Sequence, residues 1–184
     1  ENRKVAISRL GSGSQLMAYV NADNQGWNTE KLQFEIVNTI DGAVEALTNE
    51  TADYFMWERF MTKPIVDKGI FRRVADCPTP WPCFVIAVRD ELLESHVDLL
   101  KKMCEIVNHK ALEVKKDENT VEVISWRYNL RSGQVQNWLI ETDWNYEGIE
   151  YPLAFDKTIR FLLKLDLLRE DQAEGWQQKL FYSN

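Results

Sequence analysis

Val5-Ala6-Ile7-Ser8-Arg9-Leu10-Gly11-Ser12-Gly13-Ser14 is the stretch from which the fold is read. Residues 5–8 open as a short apolar strand, Gly11 to Ser14 turn the chain, and residues 15–22 carry helical spacing through Leu16, Tyr19 and Val20. A strand passed through a glycine turn into a helix is the opening of an α/β unit. The pattern recurs outward from it. Residues 32–37 alternate, with Leu32, Phe34 and Ile36 on one side. Asp41 caps a short helix holding Ala43, Val44 and Leu47, and residues 52–57 form a third apolar strand. Residues 58–68 predict a helix around Phe60, Ile65 and Val66, with Pro64 limiting its first part, and residues 70–74 predict a fourth strand. This alternation predicts a parallel sheet with right-handed crossovers over residues 1–82.

A break follows at Cys77-Pro78-Thr79-Pro80-Trp81-Pro82-Cys83. Each proline fixes its own φ and biases the preceding residue toward extended geometry, so the segment is stiff, as a hinge crossing would be. Residues 84–88 are strongly apolar and predict a strand buried within a sheet. The remainder reads as helix. Residues 90–116 carry Leu92, Leu93, Leu99, Leu100, Met103, Ile106 and Val107 at helical spacing. Shorter helices are marked by Val121, Ile124 and Tyr128, by Val135, Trp138 and Leu139, and by Phe155, Ile159, Leu162 and Leu163. Residues 83–184 are thus a crossing strand and a mainly helical second part.

Apolar residues are 45% of the 184, enough for a core, and the net charge is −7. The basic residues are scattered, which argues against nucleic acid, whose binding rests on clustered neutralisation of phosphates. No run of about 18 apolar residues occurs, so no span of a bilayer is expected. No leader is visible, and the chain opens as a trimmed or mature fragment would. Cys77 and Cys83 flank the proline segment. They either pair or stand as two buried thiols, and the second reading is the better supported. With only His96 and His109 as histidines, no metal-ligand set is expected and no cofactor is implied.

Three features could carry chemistry. The Ser12-Gly13-Ser14 turn presents helix-start amides and two hydroxyls, which suit a carboxylate, sulfonate or phosphate; otherwise it is a capped turn. Trp57 and Glu58 lie at the end of the third strand, where ligands collect on open α/β sheets. Trp57 would be a stacking wall and Glu58 a partner for a cation or hydroxyl, or else they are a core aromatic and a helix-start acid. Trp81, rigid between prolines, either lines a cleft or packs under a loop. Trp27, Trp126, Trp138, Trp144 and Trp176 read as packing residues, and the pairs Glu122/Glu141 and Asp166/Asp171 as solvated faces. No nucleophile–base constellation is defensible, so no catalytic residue is assigned and no enzyme is expected.

On the strand-to-helix segment quoted above, on Thr62-Lys63-Pro64, on Phe84-Val85-Ile86-Ala87-Val88-Arg89-Asp90-Glu91-Leu92 and on the Glu94-Ser95-His96-Val97-Asp98-Leu99-Leu100 that follows, the chain resembles the type II periplasmic binding proteins. Within them it is similar to the substrate-binding proteins of the nitrate/sulfonate/taurine and thiamine-precursor group. The resemblance covers roughly the first hundred residues. It implies two α/β lobes joined by crossing strands, with residues 1–82 as the second lobe and most of the first lobe absent. It also implies delivery of a small anionic or polar solute to an ABC permease. The location would be periplasmic or at the cell surface, where a lipid anchor is an option, with a cytoplasmic alternative. Ser12, Gly13 and Ser14 match the family's helix-start loop, and Trp57 and Glu58 a strand end, both facing the cleft. Two other readings share the fold: a pyrimidine-precursor synthase-like enzyme, and an effector-sensing domain of a regulator.

Overall fold

The computed structural model describes residues 3–81, 83–144 and 151–177, the side chains of 151–154 and 157 excepted. The backbone divides into two compact units. One comprises Glu1–Pro82 with Pro152–Asn184, the other Cys83–Tyr151.

The first unit is built on a three-stranded parallel sheet of β1 (Lys4–Ile7), β2 (Gln33–Ile36) and β3 (Tyr54–Phe55), in the order β2-β1-β3. Its helices are α1 (Gly13–Asn24), α2 (Ile40–Thr48) and α3 (Arg59–Asp67). β1 is central, pairing Val5 with both Phe34 and Tyr54, and Val5, Ala6 and Ile7 are fully buried. Side chains alternate across a strand, so β1 serves two cores. Val5 and Ile7 pack with Ala18 of α1, Phe34, Tyr54 and Met56 on one face. Ala6 packs with Ala43 and Ala46 of α2, Val37, Ala52 and Phe55 on the other. Successive crossovers leaving β1 and β2 in opposite directions require this placement of α1 and α2. Burial on both faces is also why β1 is apolar at every position but its first.

The expected parallel lobe is therefore present, with adjustments. Thr39 rather than Asp41 caps α2, its Oγ1 accepting from the Gly42 N–H at 3.1 Å; Asp41 lies in the first turn, where its charge suits the helix dipole. The third strand pairs only over Tyr54–Phe55, and Ile36, read as sharing one side with Leu32 and Phe34, is 49% exposed. The fourth strand does not form. After α3 the chain turns at Gly69 (φ 74°), where the Ile70 N–H reaches back to the Ile65 carbonyl. Phe71 then folds its ring onto Phe55, and Val74 is left in solvent. An apolar run becomes a strand only where a neighbouring backbone takes its N–H and C=O groups, and here the Ile65 carbonyl of α3 takes the N–H groups of Ile70 and Phe71 instead.

In the second part of the first unit, α7 (Tyr151–Lys164) and α8 (Glu170–Ala173) return to the lobe. Phe161 of α7 meets Trp81 at 5.5 Å, and Lys164 pairs with Asp23 of α1 at 2.6 Å. Trp176 is buried and stacked on Phe155.

The second unit holds α4 (Asp90–Lys116), α5 (Thr120–Tyr128) and α6 (Ser132–Glu141). The predicted long helix is α4, bent where His96 leaves helical geometry at φ −139°. Three expectations here are overturned. Residues 84–88 form no strand: no described residue pairs with them, and Phe84, Val85 and Ile86 are 92%, 64% and 55% exposed. Hydropathy specifies a wish for burial but supplies no partner edge. Trp126, taken as a packing residue, lies on the outer side of α5 and is 86% exposed, and Trp27 in the first unit is also exposed. Trp138 and Trp144 do pack, edge to face at 5.8 Å. Cys77 and Cys104 are not joined in a disulfide. Cys77 is half-buried, and that burial pushes its thiol up; Cys83, expected buried, is exposed.

Candidate functional site

All three strands run the same way, so the loops leaving β1, β2 and β3 gather at one edge of the sheet, the carboxyl edge. In an order of 2-1-3 the switch point falls between β1 and β3, the crevice where open α/β sheets hold ligands. Ser12-Gly13-Ser14 follows β1, and Trp57-Glu58 follows β3. The topology thus brings the first two candidate groups to adjoining loops. Trp81 is held separately, half-buried against Phe161 of α7.

The serine loop is tightly cross-bonded. Gly11, at φ 71°, takes the left-handed backbone that a side chain resists, and its N–H donates to Gln15 Oε1 at 2.7 Å. Ser12 is buried and caps α1, accepting from the Gln15 N–H at 3.3 Å. Ser14 Oγ accepts the Ser8 N–H at 3.0 Å and lies 2.9 Å from Ser12 Oγ. Ser12 is therefore chiefly structural. Gly13 is exposed and Ser14 half-buried, and their N–H groups head α1 with the positive end of its dipole behind them.

Trp57 is half-buried and stacks on Phe55 at 5.2 Å with 20° between the rings. Because Phe55 belongs to the core beneath α2, the indole is held rigid from below. Glu58 is the N-cap of α3, its Oε2 accepting the Met61 N–H at 2.7 Å, so one carboxylate oxygen is already engaged.

Asn38 was not singled out from sequence. It follows β2 at the same edge, exposed, with φ 59°, and its N–H donates to the Ser8 carbonyl at 3.1 Å. The other non-glycine residues with positive φ, Glu50, Asn129 and Asp166, all sit just past helix ends, where that conformation is ordinary. Asn38 instead lies in a strand-to-helix turn closed by the Thr39 N–H on the Val37 carbonyl at 2.6 Å. The readable signal was an Asn directly after a strand and before a Thr cap, a pair that favours a tight turn.

Among the described residues no group of three or more His, Cys, Asp and Glu could hold a metal ion, and no helix is long and apolar enough to cross a membrane. His109 pairs with Glu113 and His96 Nδ1 lies 2.7 Å from Ser95 Oγ, both on exposed turns of α4. The Ser95 hydroxyl donates to the Glu91 carbonyl, so it is engaged as a helix side chain.

Residues 1–77 match a family model described as Ca3427-like PBP. A solved structure, that of the Candida albicans CA3427 gene product, is similar with a TM-score of 0.82 and 22% identity, over 91% of this chain and 57% of that one. That protein is described as defining a family with the generic periplasmic binding protein fold. No curated protein matches the chain. The likeness does not single out the nitrate/sulfonate/taurine group. The chain spans little more than half of the structure it resembles, and over that span it has the periplasmic-binding-protein fold: an α/β lobe with a three-stranded parallel sheet, followed by a mainly helical part.

Proposed function

We propose that this chain belongs to the solute-binding component of an ABC-type importer, working in the periplasm or at the cell surface. Its solute is a small anionic or strongly polar organic molecule, of the kind taken by nitrate-, sulfonate- or taurine-binding proteins. The observation that supports this best is the convergence of the α1 N-terminus, with Gly13 exposed and Ser14 half-buried, and the rigid indole of Trp57 at the switch point of the sheet. The anionic group would lie on the Gly13 and Ser14 amides and the Ser14 hydroxyl, and the apolar body against Trp57. Binding without turnover is the favoured reading over an enzyme, since both histidines sit on exposed helical turns with intrahelical partners.

The test is calorimetric titration with a panel of small sulfonates, carboxylates and pyrimidines. Ser14→Ala should weaken binding by about 0.5–1.5 kcal/mol. Trp57→Ala should weaken it more, because apolar contact area is lost at about 25 cal/mol per Å². Ser12→Gly serves as the control, since glycine keeps most of the N-cap and costs only a few tenths of a kcal/mol of stability. If a panel member binds and neither Ser14→Ala nor Trp57→Ala changes its affinity, the site is wrong. Chemical conversion of a panel member would instead favour the enzyme reading.

A further inference from the structure

We draw no further inference here: the strongest candidate, the apolar stripe of Leu99, Met103, Ile106 and Val107 along α4, is exposed surface, and nothing in the structure shows what covers it.

Discussion

Gly42 shows how one residue closes the turn between β2 and α2. A Cβ on it would stand 2.1 Å from the Val37 carbonyl oxygen, a backbone atom that cannot move aside without undoing the turn. The same carbonyl accepts the Thr39 N–H, and Thr39 in turn caps α2 through the Gly42 N–H. Gly42→Ala should therefore destabilise the protein by about 1–3 kcal/mol, although alanine is the better helix former, and a lowered urea midpoint would show it. An unchanged or raised midpoint would mean that the turn relaxes freely. Gly42 does not stand out in the sequence, because what constrains it is a backbone carbonyl five residues back, brought close only by the turn.

At the scale of elements, the sheet is held at its amino edge by Asp53. Its carboxylate accepts the Lys4 N–H at 2.7 Å and the Arg3 guanidinium at 2.6 Å, while its own N–H donates to the Lys4 carbonyl at 2.8 Å. This ties the start of β3 to the start of β1, where the two strands share only two paired positions. The hydrogen bond from Lys4, with that from Arg3, holds the carboxyl below its ordinary value. A depressed carboxylate contributes its stability above the unfolded-state pKa and loses it as pH falls through the lower folded-state value. Asp53→Asn should thus be less stable than the unaltered protein at neutral pH, with the gap closing below about pH 4. Urea midpoints of the two proteins compared at neutral and acidic pH would show this; a gap that persists undiminished in acid would remove Asp53 from the sheet's electrostatics.

Across the molecule, order is distributed unevenly. β1 is buried on both faces and bonded on both edges, whereas residues 84–88, of similar hydropathy, have no strand partner among the described residues and are exposed from 84 to 87. Native-state hydrogen exchange should therefore separate them, with strong protection in Lys4–Ile7 and fast exchange from Phe84 to Val88. Protection of both segments alike would show that the apolar run has found a strand partner.

The α/β character, the parallel sheet, the long helix and the two loops at its candidate site were legible in the sequence, because each rests on local pattern: alternation, helical spacing, glycine before a helix. Ser12-Gly13-Ser14 was recognisable for the same reason, as a strand-to-helix turn needs those residues whatever surrounds it. What tertiary structure alone decided was pairing. It gave β1 two neighbours and, among the described residues, gave 70–74 and 84–88 none, committed the Glu58 carboxylate to the α3 cap, held Trp81 on α7 and left Trp126 in solvent. Hydropathy measures how strongly a residue avoids water, but which surface covers it depends on contacts between elements far apart in the chain, and these are settled only when the chain is folded.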